Sequence, residues 1–221
     1  MRKQSIVDQA IETGIVPLFT HNDLALCLGV LRASYEAGIR VFEFTNRTEK
    51  SFENFKEMVK VKSKEMPDLA LGIGTIYDVE MAQKYIDIGA EFIVAPVFNP
   101  AVGALCKEQN IPWMPGVMTV TEVYNARQAG AEMIKIFPGD AVGSKFVKSL
   151  RGPMADVKLM VTGGVSPTKE SLSEWFGAGA NCVGLGSQLA PKQAIAAKDF
   201  NKIREIIQEA IAMIAQIRTQ A

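Results

Sequence analysis

The chain has 221 residues, 48% of them hydrophobic and 22% charged, a composition that fits a globular protein with a sizeable core and excludes a disordered one. Lysine plus arginine (24) balance aspartate plus glutamate (24), so no net field draws the protein to nucleic acid or to an anionic membrane. Cys27, Cys106 and Cys182 are odd in number, far apart and in no metal-ligand spacing, which predicts buried thiols in a reducing, cytoplasmic compartment.

From Met1 to Ser5 the chain leads into an amphipathic segment and not into a signal-peptide core, and no apolar stretch has the length of a membrane span. Ile6, Val7, Ala10 and Ile11 fall at helical spacing, so residues 2–13 predict a leading helix that Gly14 closes. A short apolar strand follows at residues 15–19. Asn22 or Asp23 then offers an N-cap for a helix running to about Ala37.

The same punctuation recurs four times: a glycine flanked by a small residue ends a helix, and an apolar strand follows at once. It is found at Ala37-Gly38-Ile39, Ile88-Gly89-Ala90, Ala129-Gly130-Ala131 and Ala178-Gly179-Ala180, roughly every 40 to 50 residues. Between these lie candidate strands at 15–19, 69–73, 111–114 and 157–161, making eight strands in alternation with helices. Strict alternation implies parallel strands with right-handed crossovers, and eight units in so short a chain imply one (β/α)8 TIM barrel over residues 1–221, with an N-terminal helix. An open doubly wound sheet is the alternative, but the glycine-rich turn of a dinucleotide site is missing. Residues 200–220 carry a stripe of isoleucines, which packs either on the barrel or on a neighbouring subunit.

The chemistry is expected at the C-terminal ends of the strands. Lys135 lies late in the apolar run Met133-Ile134-Lys135-Ile136-Phe137-Pro138, where desolvation opposes the ammonium form and favours a nucleophilic amine that can condense with a ketone. A lysine snorkelling from a strand end is the ordinary alternative. Glu43, Thr45 and Arg47 share one parity, so an inward-facing strand would deliver a carboxylate and a guanidinium beside Lys135. A structural ion pair competes with that reading for Glu43, as loop-carbonyl binding does for Arg47. Thr75 ends the next strand with a hydroxyl. Thr162-Gly163-Gly164 and Gly184-Leu185-Gly186-Ser187 close the last two strands, where backbone N–H groups often cradle phosphate, although turns alone also use glycine pairs. His21 is the single histidine and stands just before a helix, as a capping or surface residue; with so few ligands, catalysis by a metal is disfavoured.

The segments Glu43-Phe44-Thr45-Asn46-Arg47-Thr48, Gly72-Ile73-Gly74-Thr75, Pro115-Gly116-Val117-Met118-Thr119, Lys135-Ile136-Phe137-Pro138 and Thr162-Gly163-Gly164-Val165 resemble those of the 2-keto-3-deoxy-6-phosphogluconate (KDPG) / 4-hydroxy-2-oxoglutarate (KHG) aldolases, in order over about residues 5–190. The resemblance implies a cofactor-free class I aldolase, usually a homotrimer, acting on a phosphorylated keto acid. It makes Lys135 the Schiff-base lysine and Glu43 an acid/base working through water. Arg47 and Thr75 would hold the substrate carboxylate, while Pro96, Phe137 and Thr162 shape the pocket. Gly163, Gly164, Gly186 and Ser187 would bind phosphate. The chain departs from the family's Ser-Pro-Gly after the fourth strand, carrying Ala95-Pro96-Val97-Phe98-Asn99-Pro100 instead, and Thr45 and Arg47 differ from the Glu-x-Pro-x-Asn pattern of the phosphogalactonate aldolases. A phosphosugar epimerase or decarboxylase and a non-catalytic phosphosugar binder are the rival readings.

Overall fold

A computed structural model describes residues 5–220; the first residues of the expected leading helix, 2–4, lie outside them. The helices are α1 (Ile6–Thr13), α2 (Leu24–Glu36), α3 (Ser51–Glu65), α4 (Val79–Ile86), α5 (Pro100–Glu108), α6 (Val120–Gln128), α7 (Gly139–Leu150), α8 (Lys169–Gly177), α9 (Lys192–Ala197) and α10 (Phe200–Thr219). The strands are β1 (Ile15–Phe19), β2 (Val41–Thr45), β3 (Ala70–Gly74), β4 (Ile93–Val94), β5 (Trp113–Met114), β6 (Gly116–Val117), β7 (Ile134–Ile136), β8 (Leu159–Thr162) and β9 (Cys182–Leu185).

All strand pairs are parallel, in the order β5-β4-β3-β2-β1-β9-β8-β7-β6. The two ends of that order, β5 and β6, are separated in the chain by Pro115 alone. β5 lies in the strand expected at 111–114 and β6 continues it past Pro115, so the two make one fifth strand broken where proline has no N–H to donate. Its first half pairs with β4 and its second with β7, and the Pro115 carbonyl accepts from Lys135 N at 2.9 Å. The barrel thus closes through its fifth strand, with nine segments where eight were expected.

Val16, Val41, Ala70, Phe92, Met114, Met133, Met160 and Cys182 form one buried cluster with Val7 and Ala10 of α1. Residues from strands all round a ring can meet one another only inside it. Most of these lie at or just before the start of their strands, so α1 plugs the N-terminal end of the barrel, tied there also by Asp8 to Lys158 Nζ at 2.9 Å. Side chains alternate along a strand, so Glu43, Lys135, Thr162 and Gly184, two residues beyond cluster members, point inward as well. The apolar residues of opposite parity pack under the helices in a second, larger core.

Asp23 is the N-cap of α2, accepting from Ala25 N at 2.8 Å. Of the two readings of the C-terminal stripe, packing on its own barrel holds: α10 buries Ile203, Ile207, Ala210 and Ile214 and lies against α2 and α8. The short helix α9 has no counterpart in the sequence reading. The three thiols are free and buried. Among the described residues no helix is long and apolar enough to cross a membrane.

Candidate active site

Lys135 stands in the middle of β7, only 2% exposed, inside the barrel. Its Nζ lies 3.8 Å from Glu43 Oε1 and 5.0 Å from the centre of the Phe137 ring. Burial pushes the amine below the usual lysine range; the Glu43 carboxylate pulls it back up, and the Arg47 guanidinium pushes it down again. The snorkelling alternative is therefore excluded by position, since the side chain faces the interior.

Glu43 is fully buried in β2, and neither carboxylate oxygen has a protein hydrogen-bond partner among the described residues. At 3.8 Å the lysine is beyond hydrogen-bond reach. Leaving a buried acceptor unpaired costs about 1–3 kcal/mol, more when it is charged, so an ion pair kept only for stability would be built tighter than this. The carboxylate is also wedged: a side chain at Gly74, on the neighbouring strand, would overlap it.

Arg47 lies just beyond β2, exposed, and its Nε donates to Thr75 Oγ1 at 3.0 Å. Thr75 itself has φ of 66°, a left-handed conformation unusual for a threonine. That turn brings its hydroxyl back toward the strand β2 side. Phe137, Thr162, Gly163, Gly164, Gly186 and Ser187 all line one cavity of about 850 Å3, together with Thr45 and Arg47. Gly163 and Gly164 have φ of 93° and 68°, so these loop positions require glycine for their conformation. Thr162 Oγ1 is buried with no partner among the described residues, pressed against the face that Gly184 leaves bare. Pro96 follows β4, half-buried, with its backbone against Gly116.

Sequence reasoning missed two parts of this site. Gly74 was legible, because it shares the inward parity of Gly72 one turn of the pleat away. His21 was read as a capping or surface residue. Its Nδ1 does accept from Asp23 N at 2.9 Å, yet the residue also lines the cavity. The rule of position that singled out Lys135 applies equally to a residue just past the end of β1.

The family model for KDPG and KHG aldolase matches residues 6–206. The chain is 31% identical to the 2-dehydro-3-deoxy-phosphogluconate aldolase of Treponema pallidum (strain Nichols), over 90% of this chain and 93% of that protein. It is 28% identical to the KHG/KDPG aldolase of Escherichia coli (strain K12), over 92% and 94%. In fold it is similar to the KDPG aldolase of Legionella pneumophila, solved with pyruvate captured as a covalent carbinolamine, with a TM-score of 0.84, 24% identity and coverage of 94% and 98%. A model match across nearly the whole chain, and full-length relatives of that kind, leave one conclusion: the chain belongs to the KDPG and KHG aldolase family and is an aldolase, a lyase.

Proposed function

We propose that the protein cleaves 2-keto-3-deoxy-6-phosphogluconate to pyruvate and glyceraldehyde 3-phosphate, and 4-hydroxy-2-oxoglutarate to pyruvate and glyoxylate, through an imine on Lys135. The observation that carries this reading is a desolvated amine inside the barrel, 3.8 Å from an unpartnered carboxylate and 5.0 Å from the centre of the Phe137 ring, a residue that lines the same cavity as the glycine loops. The amine adds to the C2 ketone, and loss of water leaves an iminium. Its positive nitrogen takes up the electron pair of the C3–C4 bond as Glu43, through water, accepts the C4 hydroxyl proton. The aldehyde departs, the enamine is protonated at C3, and water hydrolyses the iminium to pyruvate and the free amine.

Arg47, oriented by Thr75, suits the substrate carboxylate, since a guanidinium pairs with it through two hydrogen bonds. Phe137, Thr162 and Pro96 shape the space around C3 and C4. The N–H groups at Gly163, Gly164, Gly186 and Ser187 receive the phosphate. We place the protein in the cytoplasm, in keeping with three free thiols.

The assembly we assign is a homotrimer. The large apolar side chains Tyr77, Val79, Val97, Met118, Val120 and Tyr124 are 38–52% exposed and follow β3, β4 and β6, on adjoining units of the barrel. Such a grouped surface fits a contact with a second copy.

Borohydride reduction with pyruvate tests the chemistry: a pyruvyl adduct is expected at Lys135 by mass spectrometry and none in Lys135→Met. Labelling at another lysine overturns the assignment. Coupled assays with both keto acids and with the phosphogalactonate epimer rank the substrates, and light scattering gives the subunit number.

A further inference from the structure

His21 is held more firmly than a surface histidine needs to be. Its carbonyl accepts from Asn54 Nδ2 at 2.9 Å and from the Cys27 thiol at 3.3 Å, so α2 and α3 both fix its backbone. Its ring is fixed by the bond from Asp23 N to Nδ1 at 2.9 Å. The cap of α2 does not depend on it, because Asp23 fills that role with its own carboxylate. With Nδ1 accepting, the ring proton sits on Nε2, which is the nitrogen left for a ligand.

The surroundings indicate which ligand. His21 lies three residues past Leu18, and Leu18 is in direct contact with the loop after β9: a side chain added at Gly186 would lie 2.8 Å from Leu18 Cδ1 and 3.4 Å from Leu18 O. His21 and the Gly186-Ser187 turn line the same cavity. Lys192 and Lys198, exposed on and just after α9, line it too, and neither is in an ion pair among the described residues. A rigid N–H donor beside an N–H-rich loop, in a positive field, fits a phosphoryl oxygen.

We propose that His21 is a specificity-determining residue whose Nε2–H binds a phosphoryl oxygen on the aldehyde half of the substrate, adding a side-chain donor to the backbone cradle. This rests on the imine reading of Lys135. His21 then selects phosphorylated keto acids over unphosphorylated ones and takes no part in the chemistry at C2 and C3.

The test is His21→Asn, whose Oδ1 keeps an acceptor for Asp23 N while Nε2 is lost, with His21→Ala as the variant that loses both. Both are expected to raise KM for the phosphorylated keto acid about tenfold or more, with kcat within about twofold. KM for 4-hydroxy-2-oxoglutarate and the pyruvate–borohydride adduct at Lys135 are expected to stay unchanged. An unshifted KM in His21→Asn, or equal shifts for both substrates, overturns the proposal and leaves the histidine a turn residue. A wild-type protein that forms no adduct overturns the imine reading instead, and the proposal with it.

Discussion

The carboxylate of Glu43 occupies the space that a side chain on Gly74 would need. Thr45 of β2 pairs with Gly74 of β3, so the wedge is set by strand register and not by a flexible loop. It holds the carboxylate toward Lys135 without supplying a hydrogen bond, which leaves both buried oxygens without a protein partner among the described residues. Gly74→Ala is expected to displace the carboxylate by about an ångström and lower kcat about a hundredfold. The borohydride adduct with pyruvate should still form, because the amine is untouched. Steady-state kinetics with circular dichroism checks this; a variant with normal kcat would show that the wedge has no catalytic role.

The rate at which pyruvate and borohydride inactivate the enzyme should rise with pH and reach its midpoint below the 10.5 of a free lysine. Glu43 raises the amine's pKa by Coulombic attraction, so Glu43→Gln is expected to move that midpoint lower still. The same burial has a stability consequence. Between the folded and unfolded values of this group the unfolded chain binds the extra proton, so stability rises with pH across that window, toward 10.5. Below the folded value the cost of burying the ammonium is present in full. Lys135→Met removes the group, and its denaturation midpoint should depend less on pH in that range than the wild type's.

Much of this architecture was legible because it is written in periodicities. Alternation along β2 set Glu43 and Thr45 on one face, which the barrel turns inward, and the recurring small-residue and glycine stops counted out the barrel units. The position of Lys135 along its strand marked it for chemistry, whereas Lys158, just ahead of β8, pairs with Asp8 at the closed end. What periodicity does not encode is contact between segments distant in sequence. The split at Pro115 depends on two different neighbours pulling on one strand. The left-handed turn at Thr75 and the placing of His21 over the cavity depend on tertiary bonds, from Arg47 in one case and from Asn54 in the other. α9, six residues long, is too short to show an amphipathic repeat.

Thr75 trades stability for placement. A left-handed conformation costs a residue with a Cβ roughly 1–2 kcal/mol, and here the turn is coupled to the bond from Arg47 Nε at 3.0 Å. Thr75→Gly is expected to relieve that strain and raise the melting temperature, while KM for the keto acid increases because Arg47 loses its orienting hydroxyl. Arg47→Lys should raise KM more sharply, since an ammonium cannot pair with a carboxylate through two parallel hydrogen bonds. A Thr75→Gly variant that is no more stable would mean the turn carries no strain.

Gly164 is constrained twice. Its φ of 68° disfavours any side chain, and a Cβ there would lie 2.5 Å from Asp140 Cβ at the start of α7. Gly164→Ala must therefore either shift the loop after β8 or push Asp140 and the first turn of α7 outward. Both movements disturb the backbone N–H groups assigned to phosphate, and neither reaches β7 or β2, where the amine and the acid stand. The expected result is a KM for the phosphorylated keto acid raised about tenfold or more, with a smaller change for 4-hydroxy-2-oxoglutarate and full pyruvate labelling of Lys135. If Gly164→Ala instead impaired both substrates alike, the loop would be supporting the barrel mouth as a whole, and the phosphate would have to be held by the turn after β9 alone.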